Sequence, residues 1–82
     1  MKPIEFSREE RADITARLRA YFRDELDHDL GQLPADMLLD FLTRQIGPAF
    51  YNRGLQDAQA VVAAKAEDMA EAIYGLERAL PR

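Results

Sequence analysis

The C-terminal part of the chain contains one long segment that no proline interrupts. It begins at Pro48 and extends to residue 80, and the next proline is Pro81. Apolar positions within it alternate at steps of three and four, which is the heptad spacing of a helix with a single apolar seam. The seam comprises Val62, Ala66, Met69, Ile73, Leu76 and Leu80 and, extended backwards, Gln59, Leu55 and Asn52. The spacing predicts one helix over about 48–80, about 50 Å long.

A shorter helix is predicted at the N-terminus, over about 8–28. Ser7 and Glu10 have the capping-box spacing, in which each side chain accepts a hydrogen bond from the other residue's backbone N–H. An apolar stripe at helical spacing follows and comprises Ile14, Leu18, Tyr21, Phe22 and Leu26. This periodicity predicts an amphipathic helix.

A second short helix is predicted over about 34–46. Gly31 suits a tight connection before it, and Pro34 suits its first position. Gly47 and Pro48 then end it and allow the long helix to start. Its expected buried face comprises Met37, Leu38, Phe41, Leu42 and Ile46.

Residues 1–82 are therefore predicted to form one all-helical domain, with two shorter helices packed on the long C-terminal helix. A chain of this size buries only about 60–65% of the surface that its unfolded form exposes. There is no cysteine to add a disulfide or a thiolate metal site. Because the shorter helices cannot cover the whole seam, we expect a homodimer through the third helix. A monomer that tolerates exposure of a shallow, alanine-rich seam is the alternative.

The charge distribution disfavours nucleic-acid binding. The net charge is −4, and residues 24–40 contain six carboxylates without Lys or Arg. This segment would repel phosphate groups, and the arginines of the first helix alternate with acidic residues, as in a solvated mixed-charge face. The N-terminus has no apolar signal segment, and the longest uncharged stretch, residues 45–52, is too short to span a membrane. We therefore expect a cytoplasmic protein that does not contact membranes.

The only histidine, His28, supports one metal-binding hypothesis. On a helix, Glu25 and His28 would converge, as Glu-x-x-His pairs do in di-iron bundles. The pair occurs once, so a complete site would need a second copy of the chain. We favour the structural alternative, in which Glu25 pairs with an arginine or reaches the rim and His28 ends the helix. The sequence contains no nucleophile elbow, phosphate loop or paired-acid pattern, so we expect neither enzymatic activity nor a cofactor.

A dense polar cluster follows the Gly47-Pro48 junction. The candidate binding residues there are Asp40, Tyr51, Asn52 and Asp57. One interpretation is a small pocket for a peptide or polar ligand. The other, which we favour, gives them structural roles: Asn52 sets the register of the seam, and Tyr51 and Asp40 satisfy backbone groups at the helix break.

The junction also carries a family resemblance, in the run Ile46-Gly47-Pro48-Ala49-Phe50-Tyr51-Asn52-Arg53-Gly54 followed by Asp57-Ala58. It resembles a family of short bacterial proteins of unknown function. The similarity extends over most of the chain and includes Tyr21-Phe22, Glu25-Leu26, Gly31, Leu33 and residues 38–41. The resemblance implies a freestanding bacterial protein without an assigned activity. Asp40, Tyr51, Asn52, Gly54 and Asp57 belong to the family pattern and His28 does not, which weakens the metal hypothesis.

The leading hypothesis is a non-enzymatic helical protein–protein interaction module that self-associates through the third helix. It would present the junction or the acidic segment to a protein partner. Metal binding by Glu25 and His28 across a dimer is the alternative. Nucleic-acid association through the arginines of the first helix is a weaker one.

Overall fold

The computed structural model describes residues 3–81, which form three α-helices and, within that range, no β-strand. The helices are α1 (Arg8–Leu26), α2 (Gln32–Gln45) and α3 (Gly47–Tyr74). The prediction of an all-helical chain with a long last helix is confirmed. The described residues divide into two units, residues 3–49 and 50–81. The first contains α1, α2 and the first turn of α3, and the second contains the rest of α3.

Helix α1 begins with the predicted capping box. The Glu10 backbone N–H donates to Ser7 Oγ at 3.1 Å, and the Ser7 N–H donates to Glu10 Oε1 at 2.8 Å. These two bonds satisfy backbone donors that the first helical turn leaves without intrahelical partners. The local pattern therefore fixes the start of the helix.

Helix α1 ends two residues before the predicted boundary. Asp27 has a left-handed backbone, with φ at 48°, and the N–H of His28 donates to the Phe22 carbonyl at 3.0 Å. The Asp27 N–H donates to the same carbonyl, and closing the last turn around a left-handed residue in this way is a common form of helix end. Asp tolerates the left-handed conformation better than most residues because its short polar side chain can bond locally.

The contact between α1 and α2 buries a smaller apolar face than expected. Buried residues are Thr15 on α1 and Ala35 and Leu39 on α2, while the half-buried apolar side chains include Ile14, Leu18, Phe22, Leu38 and Leu42. Tyr21 and Leu26, two members of the apolar stripe of α1, are 56% and 54% exposed. Both lie at the edge of the stripe or at the end of the helix, where α2 does not cover them.

The predicted buried face of α2 was wrong at three of its five residues. Met37 is 62% exposed, Phe41 49% and Ile46 40%. Because successive residues are about 100° apart around a helix, turning Leu39 towards α1 turns Met37 and Phe41 to the outer side. Helix α2 has apolar residues on both sides, and periodicity alone selected the wrong one.

One side of the α1–α2 contact is polar. We call it the polar ladder; its members are Arg11, Thr15 and Arg19 on α1 and Gln32, Asp36 and Asp40 on α2. On each helix they are four residues apart, so they share one face. Gln32 bonds to two residues of α1: its amide nitrogen donates to Thr15 Oγ1 at 3.2 Å, and its amide oxygen accepts from Arg19 Nη1 at 3.3 Å. The ladder gives the antiparallel contact a defined register.

Helix α3 ends at Tyr74, six residues before the predicted boundary. Gly75 follows, and glycine in a helix interior costs about 1 kcal/mol relative to alanine. The N–H groups of Leu76 and Glu77 donate to carbonyls three residues earlier, both at 3.0 Å, which are tighter turns than α-helical ones. The seam residues Leu76 and Leu80 therefore lie beyond the helix.

Candidate interaction surface

Helix α3 has a continuous apolar stripe along one side. The α3 stripe comprises Tyr51, Leu55, Ala58, Val62, Ala66, Met69 and Ile73. At about 100° per residue, all of these positions lie within roughly 40° of a line through Val62. The stripe retains most of the predicted seam but takes Tyr51 and Ala58 in place of Asn52 and Gln59.

The α3 stripe is exposed along its whole length. Every residue in the range 50–81 is exposed, and the stripe residues Val62, Met69 and Ile73 are 68%, 66% and 67% exposed. Monomeric proteins rarely present a contiguous apolar surface of this length without a function for it. The stripe is therefore the strongest candidate for an interaction surface in this unit.

The side of α3 that faces away from the stripe is polar. It carries Arg53, Asp57, Glu67 and Glu71 together with alanines. Arg53 Nε donates to Asp57 Oδ1 at 3.2 Å, and both side chains are more than two-thirds exposed. This helical pair stabilises α3 by only a few tenths of a kcal/mol. The division into an apolar and a charged side is typical of a helix that packs against a partner.

The candidate binding residues on α3 point in different directions. Tyr51 belongs to the α3 stripe and is 45% exposed, whereas Asn52 lies about 80° from the line through Val62. Asp57 is about 120° from Tyr51 and pairs with Arg53. Side chains spread around a helix in this way do not form a pocket by themselves. Their role in binding stays a prediction.

Asp40, the fourth candidate, is part of the polar ladder. Arg11 Nη1 donates to Asp40 Oδ1 at 3.0 Å. Arg11 Nη2 also donates to the Asp36 backbone carbonyl at 3.4 Å and lies 3.9 Å from the Asp36 carboxylate. Asp40 therefore connects α2 to α1. The sequence interpretation missed Arg11, although the four-residue spacing of polar groups on both helices was a visible signal.

The proposed metal pair lacks the helical geometry on which it depended. Glu25 is in the last turn of α1, but His28 lies beyond the left-handed Asp27. The His28 ring instead lies 6.0 Å from the Phe22 ring, centroid to centroid. Across residues 3–81, no three Asp, Glu or His side chains are placed to hold a metal ion. A site shared between two copies stays a prediction.

A second exposed apolar surface lies on α2. The α2 outer stripe comprises Leu33, Met37 and Phe41, which are 69%, 62% and 49% exposed. Steps of four residues place them on one side of the helix, away from Ala35 and Leu39. Sequence periodicity detected Met37 and Phe41 as a face but assigned that face to the interior.

Comparisons with known proteins place most of the chain in one family. No helix among the described residues combines the length and apolarity needed to cross a lipid bilayer. Searches of curated proteins and of solved structures find no match to the chain. A protein-family model does match, over residues 4–77, which include all three helices. The chain therefore belongs to the uncharacterised conserved protein family DUF2164.

Proposed function

We propose that this protein is a non-enzymatic helical interaction module that self-associates through the α3 stripe. The observation that carries the proposal is the continuous apolar side of α3, whose largest residues are exposed. Burial of apolar surface is the main favourable term in protein association, at about 25 cal/mol per Å². A second copy of the chain supplies an identical stripe and is the simplest partner.

The length of the stripe supports a weak to moderate dimer. From Tyr51 to Ile73 the helix rises about 33 Å. A strip of that length and roughly 15 Å wide on each copy buries about 1,000 Å² in total, at the lower limit of specific interfaces. We therefore expect dissociation constants in the micromolar range.

Tyr51 links the self-association surface to the junction cluster. Its ring lies in the α3 stripe, and its hydroxyl gives the ring a polar end that can remain in water at the edge of an interface. Asn52, next to it, lies at the border of the same surface. Tyr51 and Asn52 then belong to the rim of the dimer contact, whereas Asp57 lies on the opposite side of α3 and Asp40 in the α1–α2 contact.

Val62→Lys tests the proposal directly, with Ala64→Lys as its matched control. Both positions are exposed in α3 and both changes add one positive charge, but Ala64 is on the side away from the stripe. We expect the unmodified chain to have dimer mass at tens of micromolar by light scattering. Val62→Lys should weaken dimerisation at least tenfold, because a charge would lie in the apolar contact, and Ala64→Lys should leave it nearly unchanged.

Two results would contradict the proposal. The first is monomer mass for the unmodified chain at millimolar concentration. The second is an equal effect of Val62→Lys and Ala64→Lys, which would place the contact elsewhere. Circular dichroism of each variant separates loss of association from loss of the α1–α2 contact.

A further inference from the structure

We propose that two α3 helices pair antiparallel, with Val62 of each copy at the two-fold axis. This inference rests on the proposed self-association and adds the orientation and register of the partner helix. It involves only residues of the second unit.

The positions of the α3 stripe are symmetric about Val62. They form pairs at four, seven and eleven residues to either side, as Ala58 with Ala66, Leu55 with Met69, and Tyr51 with Ile73. The sizes follow the same order, with alanines next to the centre and large side chains towards both ends. An isologous two-fold contact requires that residue i meets j wherever j meets i. When the helices are antiparallel, this symmetric spacing brings every stripe residue level with another stripe residue.

A parallel pair would match the same apolar stripe, so the orientation depends on longer-range terms, of which the distribution of charge along α3 is one. Residues 50–61 contain Arg53 and Asp57 and have no net charge. Residues 63–74 contain one basic residue and three acidic ones, which gives a net charge of −2; they are Lys65, Glu67, Asp68 and Glu71. A parallel pair places the two acidic halves side by side. An antiparallel pair places each acidic half beside a neutral one.

Two further features favour the antiparallel arrangement. The macrodipoles of neighbouring helices attract when antiparallel, because each positive end lies near a negative end. Within α3, Lys65 is the one charged side chain that borders the stripe, about 60° from its centre line. In the antiparallel register it lies level with the partner's Gln59, a neutral residue, and about 9 Å along the axis from the partner's Lys65, whereas an in-register parallel pair would place the two lysines level.

Cysteine cross-linking tests the orientation, since the chain contains no cysteine of its own. Val62→Cys, Leu55→Cys and Met69→Cys are each prepared in the full chain, and their masses are checked by light scattering. A short bis-maleimide then joins thiols that lie close together. In the antiparallel register, position 55 of one copy and position 55 of the other are about 21 Å apart along the axis, beyond the reach of the reagent.

We expect Val62→Cys to cross-link with itself. Leu55→Cys and Met69→Cys should each remain largely uncross-linked alone and give a mixed product when combined, with at least a fivefold higher yield. Mass spectrometry of the joined peptides identifies each product. This pattern supports the antiparallel pair.

The opposite pattern would overturn the inference and leave self-association intact. Leu55→Cys and Met69→Cys would each cross-link with themselves, which indicates a parallel pair. A dimer by mass in which Val62→Cys does not cross-link would overturn the register centred on Val62. Monomer mass together with no cross-link at position 62 would overturn both proposals.

Discussion

The α1–α2 contact and helix α3 differ in whether the apolar side of an amphipathic helix is covered. Residues Thr15, Ala35 and Leu39 are buried between the first two helices, and the polar ladder borders that contact. In α3, residues 50–74 include seven stripe positions, and all of them are exposed. The first unit therefore contains partners for its own inner faces. The second presents an apolar stripe that is exposed along its length.

This difference predicts where mutations affect folding and where they affect association. Core substitutions in the first unit should lower the free energy of unfolding. Substitutions in the α3 stripe should change the dissociation constant instead. Three experiments on the first unit test this difference.

The largest effect is expected for Leu39→Ala, with Met37→Ala as its control on the same helix. Leu39 is 4% exposed and Met37 is 62% exposed. Removing the buried side chain leaves a cavity, so Leu39→Ala should lower the free energy of unfolding by about 2–4 kcal/mol. Met37→Ala should change it by about 0.5 kcal/mol or less. Urea denaturation at a fixed protein concentration measures both, and similar losses would place the core of the first unit elsewhere.

A smaller effect is expected for Thr15→Val. Thr15 is 1% exposed, and its hydroxyl donates to the Arg11 carbonyl at 2.8 Å and accepts from Gln32. Losing this interhelical bond should cost about 1 kcal/mol in thermal or urea unfolding. The control is Thr43→Val, because the Thr43 hydroxyl donates to the Leu39 carbonyl of its own helix at 2.8 Å. Equal losses for the two variants would show that the bond to Gln32 does not stabilise the contact.

The smallest effect is expected for the coupling between Arg11 and Asp40. Their side chains are 34% and 53% exposed, so solvent screens the pair. A double-mutant cycle with Arg11→Met and Asp40→Asn should give a coupling of about 0.5–1 kcal/mol that decreases with added salt. The same cycle on Arg53 and Asp57, which are more exposed and belong to one helix, should give about 0.3 kcal/mol. A larger coupling in α3 would contradict the structural role assigned to Asp40.

Local patterns predicted the three helices and the start of α1, but the ends of α1 and α3 were placed too late. The capping box of Ser7 and Glu10 depends on residues three apart, so the start of α1 could be identified from sequence. The end of α1 depends on the left-handed conformation of Asp27. Glycine is the usual residue in this conformation, and because this position is an aspartate the sequence contained no clear signal for the helix end. The end of α3 was placed too late because the heptad count continued through Gly75.

The candidate site was predicted only in part, because some of its contacts join residues that are far apart in sequence. Heptad spacing located most of the α3 stripe, since all of its residues belong to one helix. The partner of Asp40 could not be located in this way, because Arg11 is 29 residues away in sequence and on another helix. The burial of Leu39 instead of Met37 depends on how α2 is rotated towards α1. That rotation is set by the polar ladder and by the small side chain of Ala35.

The two apolar sides of α2 should be under different packing constraints in the sequences of this family. Ala35 and Leu39 should co-vary with α1 positions such as Thr15 and Leu18, because a change in volume on one helix must be balanced on the other. Met37 and Phe41 face away from α1 and are free of that constraint. In aligned homologues, α2 should therefore show two interleaved and statistically independent sets of positions. The positions that co-vary with the second set would identify what covers the outer side of the helix.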